Sequence, residues 1–253
     1  MHVTSENRTV RMLNRVGDFV IMAFDVLLAC FRPPFRIGLL FQQLDFVGVG
    51  SLFIVALTGT FTGAVFTLQS VYAFSMFSME SMVGATVTLA LCRELSPVLT
   101  ALMITGRAGS AMATELGTMR VTEQIDALKS MAVNPVQYLI VPRFLASLFM
   151  FPALTMVFNI VGVAGAWVVG VEMWGIDPGN FIAKIQWYVQ ASDITSGLIK
   201  ATVFGGFVSL ASCYKGYYAE GGARGVGQAT TQAVVTGSVG VMIIDYFLTV
   251  LMY

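Results

Sequence analysis

Arg93 and Glu94 stand side by side within a long apolar stretch, and Pro97 follows shortly after them. Charges inside a membrane segment cost about 2.5–3.5 kcal/mol each on insertion scales, so they persist where they meet a cavity or a partner. Consecutive helical residues point about 100° apart, so these two charges need not pair with each other. Pro97 removes the helical hydrogen bond to the Arg93 carbonyl and should kink the helix there. Two chemistries fit the pair: a polar point on a path for lipid headgroups, or structural ion pairs with another helix. Lys200 poses the same choice. It lies about six residues, roughly 9 Å, inside another apolar stretch. From there it either snorkels to the interface or turns inward to a phosphate or to Glu94.

A second constellation lies at 119–133. Val121, Ile125, Leu128 and Ala132 mark one helical face, and Glu123 and Asp126 fall in the first turn, where the helix dipole favours anions. Asn134-Pro135 ends the pattern. A short amphipathic helix between two apolar stretches suits a docking surface for a partner; the plainer alternative is an interfacial linker.

The remaining chemistry-bearing types are sparse. The single histidine is His2, and Cys30, Cys92 and Cys213 match no metal or redox spacing, so they read as small buried apolar residues. No G-x-x-x-x-G-K-[ST], H-E-x-x-H or G-x-S-x-G pattern occurs. The glycine-rich stretch 221–227 reads as a flexible turn. The chain therefore carries no recognisable machinery of its own for hydrolysing ATP.

The elements that hold these groups must be membrane helices. Hydrophobic residues make up 57% of the chain and charged residues 11%, with a mean hydropathy of +0.79. Soluble domains carry about 25% charged residues. A net charge of zero provides no basic field for nucleic acid. A spanning helix needs about 20 apolar residues, and five stretches qualify: 47–71, 82–118, 138–173, 194–214 and 227–252. The second and third exceed one bilayer thickness and should tilt, kink or project. Alternating strand patterns for a barrel are absent, as is a halved internal repeat.

Residues 8–31 form an amphipathic pattern, with Arg11, Arg15, Asp18, Met22 and Asp25 on one face and Val10, Leu13, Val20, Phe24, Leu27 and Phe31 on the other. Such a helix lies in the headgroup plane. Arg32-Pro33-Pro34-Phe35-Arg36 ends it, and a short element at 37–46 leads into the membrane. The division into regions is thus 1–46, interfacial, and 47–253, transmembrane. No cleavable signal pattern is expected.

Arg8, Arg11, Arg15, Arg32, Arg36, Arg120, Lys129, Arg143, Lys215 and Arg224 fall on one side of the spans, against Lys184 on the other. Positive residues favour the cytoplasm, which places the N-terminus inside and the C-terminus outside. Trp167, Trp174, Trp187 and Tyr188 are expected in the outer aromatic belt, around a short surface structure at 174–193. Small residues at Gly59/Gly63, Gly109/Ala113/Gly117 and Gly106/Ser110/Thr114 allow close helix packing or dimerisation.

The runs Arg93-Glu94-Leu95-Ser96-Pro97-Val98-Leu99-Thr100-Ala101-Leu102, Gly106-Arg107-Ala108-Gly109-Ser110-Ala111, Glu115-Leu116-Gly117-Thr118-Met119 and Val121-Thr122-Glu123-Gln124-Ile125-Asp126-Ala127-Leu128 resemble the MlaE permease family. So do Gly221-Gly222-Ala223 and Gly225-Val226-Gly227-Gln228-Ala229-Thr230-Thr231. The likeness covers nearly the whole chain, and the Glu-Gln-Ile-Asp-Ala-Leu segment is its most specific part. Ser96 stands where glycine is often expected. The resemblance implies an all-α integral membrane protein with an N-terminal interfacial helix and five transmembrane helices. It implies a homodimeric permease subunit of a bacterial inner-membrane ABC transporter for phospholipids. The implied partners are a cytoplasmic ATPase that binds ATP and magnesium, an MCE-domain protein and a STAS-domain protein; this chain itself would hold no cofactor. By the same resemblance Glu123, Gln124, Ile125, Asp126, Ala127 and Leu128 match the ATPase-coupling helix. Arg93 and Glu94 match polar residues of the lipid cavity, and Lys200 looks like a further cavity cation. Phe66 and Tyr72 are expected to line the acyl path. The competing expectation is an ATP-independent secondary transporter or channel for an amphipathic solute.

Overall fold

The structure, a computed structural model, describes residues 8–33 and 36–252, with side chains on the first helix from Val16 onward. The side chains of Val10, Arg11, Leu13 and Arg15, and residues Pro34 and Phe35, lie outside the described residues. Among the described residues every regular element is helical.

The first helix, α1 (Arg8–Ala29), docks on the bundle through Phe19, Met22, Val26, Ala29 and Cys30, a spacing of three and four that makes one stripe. Val16, Val20, Phe24 and Leu27 point away and are exposed. Met22, which the spacing grouped with the polar face, is 4% exposed. The helix therefore has three sides: a narrow packed stripe, the charges Asp18 and Asp25 beside it, and a broad apolar face left open.

Five helices are long and apolar enough to span a membrane. The first span begins at Ile37 rather than at 47: α2 (Ile37–Leu44) continues through a π turn (Asp45–Val49) into α3 (Gly50–Ser75) without a break. The expected separate element at 37–46 is thus its first part. The second span holds α4 (Val83–Ala90), a π turn (Leu91–Leu95), α5 (Ser96–Ile104), a second π turn (Thr105–Gly109) and α6 (Ser110–Val121). A short helix, α7 (Gln124–Ser130), follows at the corner. The third span is α8 (Val141–Trp167), flanked by π turns at Val136–Ile140 and Val168–Met173. Then come α9 (Pro178–Tyr188), the fourth span α10 (Ala191–Tyr217) and the fifth, α11 (Gly222–Met252). The second span runs for 42 residues, about 63 Å at 1.5 Å per residue against a hydrocarbon core of about 30 Å. Its π turns interrupt the regular ladder twice, where the proline alone suggested one kink.

The first and third spans touch backbone to backbone. A Cβ on Gly63 would stand 1.9 Å from the Gly162 carbonyl oxygen, and one on Gly165 would stand 2.3 Å from that of Thr60. The Gly59/Gly63 pair therefore serves packing within the chain. Phe158, Phe204, Phe151 and Leu91 fill the core between the second, third and fourth spans.

Asp177 caps α9 by accepting from the Asn180 backbone N–H at 2.8 Å, and Phe181 plunges from that helix into the core against the edge of Trp167, 5.5 Å between ring centres. Trp167 is partly buried and packs on the core, while Trp174, Trp187 and Tyr188 are exposed. The stretch 221–227 is not a flexible turn. Gly221 and Gly222 take φ of +91° and +65°, and α11 starts there, five residues before the expected 227.

Candidate transport site

Arg93 and Glu94 lie in the π turn of the second span, and each meets a different helix. The Arg93 guanidinium grips Asp193 with Nε at 2.8 Å and Nη2 at 2.7 Å from the same oxygen. Asp193 stands in the first turn of α10, where its other oxygen accepts from the Gln190 backbone N–H at 2.8 Å in a capping box. One carboxylate therefore starts α10 and ties it to the second span. Its side chain is 4% exposed, while that of Arg93 is 40% exposed.

Glu94 accepts from Lys200 at 2.6 Å. Lys200 does not snorkel to the interface: it is wholly buried and also donates to Thr249 Oγ1 at 2.8 Å, with Asp245 3.4 Å away. Its Nζ lies 3.3 Å from the Arg93 carbonyl oxygen, the acceptor to which Pro97 has no N–H to offer. The proline thus creates a polar point in the helix, and a lysine from the fourth span meets it. Asp193, Asp245 and Thr249 went unnoticed in the sequence. Each left a signal: Asp193 and Lys200 share a face seven residues apart on α10, and Asp245 and Thr249 share one four apart on the last span.

An open groove of about 600 Å³ runs along α3, lined by Leu57, Phe61, Val65, Phe66 and Gln69 and bounded by Leu95, which shares a π turn with Arg93 and Glu94. Phe66 lines it. Tyr72 lies beyond it and is 64% exposed. An apolar trough next to half-exposed charges has the polarity of an amphiphile.

The corner at 119–133 is differently built. The helix α6 runs on to Val121, Glu123 takes a left-handed φ of +60°, and α7 starts at Gln124. Ala132, with φ of +58°, lies outside the helix. Ile125 is wholly buried among Leu116, Leu139, Ile140 and Tyr214, with Leu128 packed on the same cluster. Ile125 therefore seats α7 on its own chain and cannot face outward. Glu123, Gln124, Asp126 and Ala127 are exposed. Arg120 grips both oxygens of Asp126 at 2.8 and 2.9 Å, and Lys129 approaches to 3.4 Å. The Arg120 hydrogen bond holds the Asp126 carboxyl below its ordinary value.

Four of the cations counted on the positive side lie in spanning helices: Arg120 in α6, Arg224 in α11, and Arg143 and Lys215. Arg143 is buried in α8, paired with Glu115 at 2.8 Å and donating to the Leu139 carbonyl at 2.6 Å; Lys215 lies in the last turn of α10.

Five apolar spans, an apolar groove beside ion-paired charges within them, and a charged helical corner at one end define a multi-pass membrane transport protein. The family model "Permease MlaE" matches residues 40–251. The chain is 44% identical over 246 residues to a "Probable ABC transporter permease protein" of Rickettsia conorii, covering 97% of this chain and 95% of that one. It is 42% identical to another of that description from a Synechocystis species, over 84% and 81% of the two chains. It is 40% identical to the "Intermembrane phospholipid transport system permease protein MlaE" of Haemophilus influenzae, over 96% and 92%. The chain belongs to the MlaE permease family and is a permease subunit of an ABC transporter.

Proposed function

We propose that this chain moves phospholipids between a bacterial inner membrane and an MCE-domain protein on its outer face. A separate cytoplasmic ATPase, docked on the exposed side of 122–131, supplies the energy and binds ATP and magnesium. The chain acts as a non-catalytic homodimer, with a STAS-domain protein as a further partner; its N-terminus is cytoplasmic and its C-terminus periplasmic. The observation that carries this reading is the apolar groove along α3, bounded by Leu95 of the same π turn that holds the half-exposed Arg93 and Glu94. Acyl chains lie along Phe66 and its neighbours, while Arg93 attracts the phosphate. The curated relative from Haemophilus influenzae carries phospholipid transport in its name, which supports the cargo.

The test is co-purification with a candidate ATPase, identification of bound lipid, and lipid transfer between vesicles with and without ATP. Replacing Arg93 with alanine in an Asp193→Asn background, which leaves no lone buried carboxylate, should impair transfer while assembly persists. Unchanged transfer removes Arg93 from the path. Glu123→Lys with Asp126→Lys should uncouple ATP hydrolysis from transfer. Full-speed transfer by the chain alone, without ATP, would overturn the reading in favour of a secondary transporter.

A further inference from the structure

Two π turns, one at Asp45–Val49 in the first span and one at Thr105–Gly109 in the second, are joined by a single side chain. Arg107 donates through Nη1 to the Phe46 carbonyl and to Ser51 Oγ, the latter at 3.2 Å, and its guanidinium carbon lies 5.0 Å from the centre of the Phe46 ring. A π turn disturbs the i to i+4 ladder and leaves main-chain acceptors exposed to other donors. Gly50 completes the seat: a Cβ there would stand 2.1 Å from Arg107 Nη2. Among the described residues no carboxylate pairs with this arginine within 4.0 Å, in contrast to Arg93, Arg120 and Arg143. Its contacts are to main chain, hydroxyl and ring, all on the first span.

We infer that Arg107 is a positioning residue that pins the foot of the first span to the second and thereby sets the width of the groove. The groove lies between α3 and Leu95 of the second span. Its lining begins at Leu57 and ends at Gln69, about 10 and 30 Å above Gly50 at 1.5 Å per residue. A small tilt at the elbow therefore becomes a larger displacement at the groove. Glycine contacts join the first span to the third, which the Arg143–Glu115 pair and the shared core tie to the second, so the tilt about the elbow is resisted there but not fixed. With Arg107 in its seat the wall is held; with the guanidinium withdrawn the first span has more room to tilt. The inference rests on the groove being the transport path only for its effect on transfer, not for the geometry itself.

The experiment is pulsed electron paramagnetic resonance on the full chain in nanodiscs. Spin labels are placed at Leu68 on α3 and Ile199 on α10, both exposed, with labelled chains diluted into unlabelled ones. Arg107→Ala should broaden and lengthen the distance distribution. Gly50→Ala leaves the arginine intact but occupies its seat, and should do the same. Arg107→Lys, which still reaches the Phe46 carbonyl but cannot bridge to Ser51, should restore part of the narrow distribution. An arginine with a merely structural role would lower yield or melting temperature without changing the distances in folded protein. Wild-type distributions in both Arg107→Ala and Gly50→Ala overturn the inference, and if the first fails to fold, the second decides alone. A changed distribution with unchanged lipid transfer keeps the elbow and counts instead against the groove as the transport path.

Discussion

Around Lys200 and around Asp126 the chain groups cations with carboxylates, yet the two clusters live in different media. The Lys200 side chain is 0% exposed and holds three elements together: the π turn of the second span, α10 and α11. Arg120, Asp126 and Lys129 are 36%, 51% and 50% exposed and join a helix to the short helix after it, with Lys129 also 5.9 Å from the centre of the Tyr217 ring. In the first cluster, losing Lys200 leaves two carboxylates that are only partly exposed, Glu94 and Asp245, without their shared cation. In the second, water replaces the lost partner, and salt screens what remains. Interior charges therefore define helix positions, while those at the corner stay available to another molecule.

The comparison breaks first at Lys200. Lys200→Met should destabilise the protein by about 3 kcal/mol, the lower end of the range for breaking a buried pair because Glu94 is partly exposed. Thermal unfolding in detergent measures this. The double variant Glu94→Gln/Lys200→Met should lose less than the sum of the single changes, and strict additivity would mean the pair is not coupled. Asp193→Asn comes next. It removes the Arg93 pair and half of a capping box, for about 2 kcal/mol. Hydrogen exchange should locate the loosening at 190–196, the start of α10.

Arg120→Ala should leave the unfolding midpoint unchanged within error, although the bond it removes is as short as those of the interior cluster. A drop as large as that at Lys200 would mean that the two clusters do not differ in this way. The smallest effect is that of pH on the same corner. The Asp126 carboxyl is held below its ordinary value, so the folded state prefers it charged. Its contribution is complete above the ordinary carboxylate range, about pH 4, and fades as pH falls through the lowered folded value. Exchange protection of α7, corrected for intrinsic rates, should stay flat from neutral pH to about 4 and decline below. A decline beginning near neutrality would point to a different group.

Much of this architecture was legible from residue types alone. Five apolar stretches long enough to span, the amphipathic run at 8–31 and the charges at 93, 94 and 200 are all one-dimensional patterns, and membrane solvation turns such patterns into structure. The elements that escaped were those shaped by neighbours. Continuity from Ile37 through Val49 was hidden because a π turn has no composition of its own. Met22 looks like a surface residue by spacing, and its burial is decided by what packs against it. Ile125 fits an outward docking face equally well until Leu139, Ile140 and Tyr214 cover it.

Sequence alone determined that the chain crosses a membrane five times and which ionisable residues lie within the spans, because the cost of burying charge and backbone in hydrocarbon acts on each segment separately. Only the tertiary structure decided the partners: Asp193 for Arg93, Glu94 and Asp245 for Lys200, the Phe46 carbonyl for Arg107. Those pairings join residues 45 to 106 positions apart, and the helix crossing angles that bring them within 3.4 Å come from packing between spans, which no local pattern encodes.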